Sequence, residues 1–297
     1  GGILDGHLDP SLAALLLALF AFGIGKAALM PFHRWLPSAM VAPTPVSALL
    51  HAVAVVKGGV FTLLKVGVYI FGTGYLSTTH ASVWLCWIAA FTLIVSAIIA
   101  IYKDDLKARL AYSTISQLAY ITLGVALANQ MGVIGGAMQM VMHGMAKITL
   151  FMCAGSIYVA TRKTRVSEMN GLGRQMPFTF AAFLIASLSI IGLPPLGGAW
   201  SKWFLMLAAA DAQQTAMIAV LAVGSLLSIA YLLPVSGRAL FMPSRDPGAP
   251  TGIHEAPLLV VAPLCATALG CILLFAFAHD IYSFLLHIQL LPPEVAP

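Results

Sequence analysis

Five lysines, Lys26, Lys57, Lys65, Lys147 and Lys202, lie inside otherwise apolar runs, with no aspartate or glutamate among them. The runs constrain the fold most. About eight of them are long enough to cross ~30 Å of hydrocarbon as a helix; they fall near 11–31, 46–70, 82–102, 113–129, 132–159, 178–210, 217–240 and 257–279. Composition agrees, with 60% hydrophobic and 8% charged residues against about 25% charged in a soluble domain. The fold class read from this pattern is all-α, a polytopic transmembrane helix bundle with broken helices. A lysine at bilayer depth costs roughly 3 kcal/mol on insertion scales. Such a residue marks an ion or proton path, because burial and neighbouring charges move a lysine between its charged and neutral forms.

The run at 178–210 is too long for one straight helix. It is cut by Gly192-Leu193-Pro194-Pro195-Leu196-Gly197-Gly198, where proline removes a backbone donor and glycine relaxes the chain. Pro31, Pro37, Pro43 and Pro45 punctuate the chain after the first run in the same way.

Charge alternates from loop to loop. His33/Arg34, Lys103/Lys107/Arg109, Arg162/Lys163/Arg165/Arg174 and Arg238/Arg245 are basic, whereas the loops near 71–81, 129–131 and 211–216 contain no Lys or Arg. The positive-inside rule assigns the first set to the cytoplasm and both termini to the outer side, in an inner (plasma) membrane of bacterial type. The net charge of +5 is then a loop property that faces the membrane surface, not nucleic acid. No basic n-region or small-residue cleavage site precedes the first run, which reads as a span and not a signal peptide. The stretch from Asp280 to Leu291 is too short to span and reads as interfacial.

The sequence excludes most soluble-substrate chemistry. Cys86, Cys153, Cys265 and Cys271 sit in apolar runs without CxxC or CxxH spacing, so neither a metal site nor a disulfide framework is indicated. No phosphate-binding glycine loop or nucleophile elbow is present, no cofactor is expected, and no catalytic site is assigned. Met138, Met140, Met142 and Met145 read as adaptable packing.

Four blocks carry a family resemblance. Residues 24–60, IGKAALMPFHRWLPSAMVAPTPVSALLHAVAVVKGGV, resemble the broken seventh and the eighth helices of antiporter-like membrane subunits. That family includes the large membrane subunits of respiratory complex I, of Mrp-type cation/proton antiporters and of membrane-bound hydrogenases. Asp105 to Gln117, DLKARLAYSTISQ, resembles the family's DxKxxLAYSTxSQ segment. His143-Gly144-Met145-Ala146-Lys147 resembles its HxxxK helix, and Gly192 to Trp203 its broken twelfth helix. The resemblance spans about 25–205.

What the resemblance implies is specific. Members have about fourteen helices around two inverted five-helix repeats, and this chain aligns from the seventh helix onward. Residues 1–81 would close the first repeat, 82–240 would be the second, and 241–297 would hold a final span and an interfacial tail. The lysine matching Lys26 pairs in the family with a fifth-helix glutamate. Other membrane subunits are therefore expected as partners, with a carboxylate near Lys26 supplied from outside these residues.

The expected proton-transfer groups are Lys26, His51, Lys57, His143, Lys147 and Lys202. Each has a plainer reading. Lys26 and Lys65 are placed to snorkel to an interface, and for Lys65 that is the reading adopted. His51 fits a satisfied core histidine. His143 and Lys147, spaced i and i+4, share a helix face and suit either a relay or polar helix–helix glue. Where the family often carries a second histidine one turn before His143, this chain has Gln139, which can hold water but cannot titrate. Ser116, Gln117, Tyr120 and Thr149 line a path or simply bond to helix backbone.

Three functions follow: a subunit that translocates protons, or exchanges a cation for protons, driven by redox chemistry or by the counter-flowing cation; a structural or assembly subunit that keeps the fold without transport; and a proton-driven partner in inorganic-carbon uptake. Gene neighbours would separate them.

Overall fold

The computed structural model describes residues 2–5, 7–49, 54–244 and 252–289. Helices account for nearly all the regular structure there. Four of them, Val83–Tyr102 (α6), Gln130–Thr161 (α8), Thr215–Phe241 (α12) and Leu258–Ala276 (α13), are each long and apolar enough to cross a bilayer. Leu106–Ala126 (α7) matches them in length and carries Lys107 and Arg109 in its first turn. The other apolar runs are interrupted.

The first run forms α1 (Pro10–Gly23), capped by Asp9, whose side chain accepts from the Ser11 amide. It then breaks into a 3-10 turn, Gly25–Ala27, closed by Ala28 in the left-handed region at φ 55°. Short helical pieces follow at Trp35–Ser38 (α2) and Thr44–Ser47 (α3). After residues 50–53, which lie outside the described region, Val55–Lys65 (α4) continues as a π-helical turn to Phe71. Thr73–Thr79 (α5) leaves it at 77°, so a helix occupies the stretch expected as a loop.

Helix starts follow local chemistry. The Asp105 carboxylate accepts from the Ala108 amide at 2.8 Å, which begins α7 seven residues earlier than the apolar run does. Asn129 does the same for α8 through the Gly132 amide at 2.8 Å. Each cap satisfies a donor that the first turn leaves free. Leu172–Gln175 (α9) leads into α10 (Pro177–Ile191), which starts on a proline. Its free amides at Phe178 and Thr179 donate to the Glu255 carboxylate at 2.7 and 3.1 Å.

The long run breaks where its glycines and prolines lie. α10 ends at Gly192, φ 91°, and α11 resumes at Gly198–Asp211. A side chain at Gly192 would be strained by that φ and would come within 2.8 Å of the Lys202 stem, so only glycine suits the position.

α8 is the central element, packed by α7, α10, α11 and α13, with α4 and the amphipathic α14 (Ala278–Gln289) also against it. Ile281, Tyr282, Leu285 and Leu286 of α14 pack onto Ile134, Met138 and Met142. The stretch expected at the interface is thus tied to the bundle along one face. In lipid such contacts hold helices together by close packing and interhelical hydrogen bonds, because lipid tails are as apolar as the side chains.

Candidate functional site

Polar side chains gather along the inner face of α8. Gln139, His143 and Lys147 follow one another at four-residue spacing and therefore share that face. All three are buried, Lys147 completely. Each meets a different neighbour.

Lys147 Nζ donates to the Leu110 carbonyl at 3.0 Å and to the Ser113 hydroxyl, both on α7. His143 Nδ1 lies 2.9 Å from Lys57 Nζ, reaching across from α4. His143 Nε2 is buried with no protein partner among the described residues. Gln139 is the branch point: its Nε2 donates to Gln117 Oε1 at 2.8 Å, and its Oε1 accepts from Ser201 Oγ at 2.6 Å. α7, α8 and α11 are thereby joined through one amide.

Two arms extend from this branch. On one, Gln117 Nε2 donates to Ser228 Oγ at 3.3 Å and reaches Tyr231 Oη at 3.5 Å; Ser228 and Tyr231 are themselves 3.0 Å apart. The Lys147–Ser113 pair stands beside the Gln139 set, both bridging α7 and α8. On the other arm, Ser201 adjoins Lys202 at the start of α11. Lys202 Nζ donates to the Ile191 carbonyl at 2.9 Å and to Ser225 Oγ at 3.0 Å, and lies 4.9 Å from the Tyr120 ring centroid. Ile191 ends α10, so Lys202 occupies a carbonyl that the helix break leaves without its backbone partner.

The set of interior cations contains no carboxylate: Lys57, Lys147 and Lys202 are held by an imidazole, hydroxyls, backbone carbonyls and an aromatic ring. Hydrogen bonding of this kind satisfies a buried ammonium without fixing it as strongly as an ion pair does.

The six sequence-predicted groups divide unequally. Lys57 with His143, Lys147 with Ser113 and Lys202 with Ser225 form three separate hydrogen-bonded groups inside the bundle. Lys26 is exposed on the 3-10 turn after α1 and joins none of these bonds. What connects it to these groups is backbone: a Cβ at Gly59 would lie 2.5 Å from the Lys26 carbonyl carbon, so α4 packs directly on that turn, two residues past Lys57. His51 lies outside the described residues. Lys65 is exposed, its ammonium 5.3 Å over the Phe61 ring, as the snorkelling reading expects.

Of the weakly weighted polar residues, Gln117 joins the Gln139 set and Tyr120 packs beside Lys202. Ser116 spends its hydroxyl on the Leu93 carbonyl, and Thr149 on Met145 and Thr267. Ser113, Ser201, Ser225, Ser228 and Tyr231 were missed by sequence reasoning. Ser225 and Ser228 stand on an otherwise apolar helix, and spacing alone does not distinguish them from helix-bonded hydroxyls.

Broken apolar helices and a central helix bearing Gln139, His143 and Lys147 are in keeping with a membrane protein of the antiporter-like class. The chain belongs to the family described as NADH:quinone oxidoreductase/Mrp antiporter, transmembrane, whose model matches residues 5–228. It is 34% identical over 294 residues to NADH-quinone oxidoreductase subunit N of Desulforudis audaxviator, covering 95% of this chain and 58% of that protein. It is 33% identical over 270 residues to the A/B component of a probable K(+)/H(+) antiporter of Rhizobium meliloti, covering 89% of this chain and 26% of the relative. Its fold resembles a chain of the Mrp complex from Dietzia sp. DQ12-45-1b, with TM-score 0.82 at 23% identity over 92% of this chain and 58% of the other. It also resembles a chain of the membrane-bound sulfane sulfur reductase, an archaeal respiratory membrane complex, with TM-score 0.78 at 27% identity over 88% and 44%. The chain therefore spans little more than half the length of the first of these relatives and less of the second.

Proposed function

We propose that this chain is part of a subunit that moves protons through the membrane within a larger complex. The observation that carries the reading is a series of hydrogen-bonded polar groups inside the bundle, with Lys57–His143, Lys147–Ser113 and Lys202–Ser225 ranged around the Gln139–Gln117–Ser201 set. Lysine and imidazole nitrogens accept and release the proton; hydroxyls and bridging water carry it between them. Gln139 does not titrate, so it orients water between His143 Nε2 and Ser201 and does not hold the charge itself. The driving force is redox chemistry in a partner, or a counter-flowing cation.

On this reading the partners are other membrane subunits, as in the multi-subunit complexes to which the fold is similar. One of them, or a segment of the protein beyond these residues, supplies a carboxylate within ~6 Å of Lys26, a distance at which an acid raises a lysine pKa. The second repeat would comprise α6, α7, α8, the α10–α11 pair and α12. The loops bearing Lys103, Arg162, Arg174 and Arg238 would face the cytoplasm of a bacterial plasma membrane, with both termini outside.

The experiment that tests this reading substitutes Lys147. Lys147→Ala removes the titratable group. Lys147→Arg keeps the charge but cannot release its proton, because an arginine pKa exceeds about 12. Both variants should assemble, and both should lose proton flux in proteoliposomes carrying the whole complex with a pH-sensitive dye. A full-rate arginine variant would show that proton exchange at this position is unnecessary and would favour the structural or assembly role.

A further inference from the structure

A second cavity-bearing region lies away from the relay, on the flank of the bundle. A groove of about 700 Å3 runs between the segment around α3, the C-terminal half of α8 and the start of α13. Its walls are apolar: Ala48 and Leu49 on one side, Phe151 and Met152 on α8, Leu259 and Pro263 on α13. Among the described residues its charged lining is Lys107 and Lys163, with no aspartate or glutamate.

The charge is confined to one end. α7 begins at Leu106 and α8 ends at Thr161, so the two lysines stand beside helix termini, while the α8 wall runs back along the helix from Val159 to Ile148. Arg162 adds a third cation at this rim, its guanidinium 5.2 Å over the ring of Tyr158, another lining residue. Lys107 Nζ donates once, to the Ala42 carbonyl at 2.7 Å, which fixes it at the rim and leaves its remaining N–H groups for a ligand. Asp105 does not neutralise it by contact, because its carboxylate caps α7.

We propose that this groove binds an anionic phospholipid, with its phosphate between Lys107 and Lys163 and an acyl chain along the accessible Leu49, Met152 and Leu259. The commitment to lipid follows from the asymmetry. Cations at headgroup level above an apolar trough complement an anionic amphiphile along its whole length. A soluble phosphate would leave the trough uncovered, and a transmembrane helix of another subunit has no general reason to present an anion at this depth.

The test uses the whole complex, purified and delipidated in detergent. Phosphatidylglycerol or phosphatidylcholine with identical acyl chains is titrated back. Bound lipid is read by native mass spectrometry, and protection by thermal unfolding. Phosphatidylglycerol should be retained and raise the unfolding temperature; phosphatidylcholine should do neither. Lys107→Gln/Lys163→Gln should weaken phosphatidylglycerol retention roughly thirtyfold, at the usual per-lysine attraction to anionic lipid. Val159→Trp, at a half-exposed lining position, leaves both cations in place and should also expel the lipid by filling the trough. Three results would overturn the proposal: equal retention of the two lipids, unchanged retention in the double variant, or equal protection by inorganic phosphate. Crosslinking of Leu49→Cys or Leu259→Cys to a neighbouring polypeptide of the complex would overturn it too, by assigning the groove to that neighbour.

Discussion

Gln139→Leu is the perturbation that separates a relay from a set of helix-joining contacts. Gln139 contributes two interhelical hydrogen bonds, one to Gln117 on α7 and one from Ser201 on α11. In water-soluble proteins each orphaned buried group costs about 1–3 kcal/mol. In a membrane the helices persist after unfolding and find other partners, so interhelical bonds average about 0.6 and reach about 1.7 kcal/mol. Ser201 keeps a second acceptor, the Gly198 carbonyl at 3.1 Å, which softens the loss further. The lower scale applies, and the expected destabilisation is about 1–2 kcal/mol. Against a typical stability of about 5 kcal/mol or more, the variant stays folded. On the proposed path proton flux should nevertheless fall by more than about tenfold, equivalent to about 1.4 kcal/mol in the barrier, because a Leu side chain offers no polar atom between His143 and Ser201. Gln139→His restores polarity and adds a titratable nitrogen, and should conduct. The assay is dye-reported acidification in proteoliposomes of the assembled complex, with thermal unfolding in parallel. A Gln139→Leu complex that conducts at the parent rate, with the modest thermal shift present, would refute a path through this amide and leave the network as helix–helix glue.

Two further expectations concern the frame around the site. Arg109 is buried and donates to the Lys103, Ile101 and Tyr231 carbonyls at 2.8, 3.2 and 3.2 Å, the last on α12 one turn before Pro234. Arg109→Met should cost about 2–3 kcal/mol, the scale for charged hydrogen bonds, and should disturb Tyr231; an unchanged unfolding temperature would exclude that anchoring role. Asp104, outside the spans, accepts from the Ser167 amide and hydroxyl at 3.0 and 2.7 Å. That hydroxyl bond is the main reason its carboxyl titrates below the usual value, against the opposing effect of burial. A depressed folded pKa gives stability that is present above the unfolded value, near 3.9, and is lost as pH falls through the folded value. Asp104→Asn should therefore flatten the acid end of the stability–pH curve, and an identical acid limb in wild type and variant would reject the contribution.

The fold was legible wherever hydrophobic length was the controlling quantity. The runs near 82–102, 132–159, 217–240 and 257–279 became α6, α8, α12 and α13 with boundaries shifted by a few residues. The break at 192–198 was legible because proline and glycine act locally, whatever surrounds them. The π-helical stretch ending α4, the sharp turn into α5 and the docking of α14 on α8 were not, because each depends on tertiary neighbours. The early start of α7 was readable in principle: an aspartate three residues before a helical amide is a cap signal, masked here by the charges that follow it.

The site divides along the same line. Lysines and histidines in apolar runs stand out because their insertion cost is high, and four of the six named groups carry hydrogen bonds inside the bundle. Serines and a tyrosine do not stand out, since a hydroxyl in a helix satisfies itself on a carbonyl four residues back, as Ser225 and Ser228 also do. The bonds of Ser225 to Lys202 and of Ser228 to Gln117 exist only because α12 packs against α11 and α7. Charge is thus written in the sequence while connectivity is written in the packing. That division places the strongest discrimination between relay and scaffold at Gln139, Ser201 and Ser113, which carry no charge, and not at the lysines they join. On the proposed function, loss of a lysine would perturb transport and helix association together, whereas loss of a linking hydroxyl or amide would remove a proton step at small structural cost.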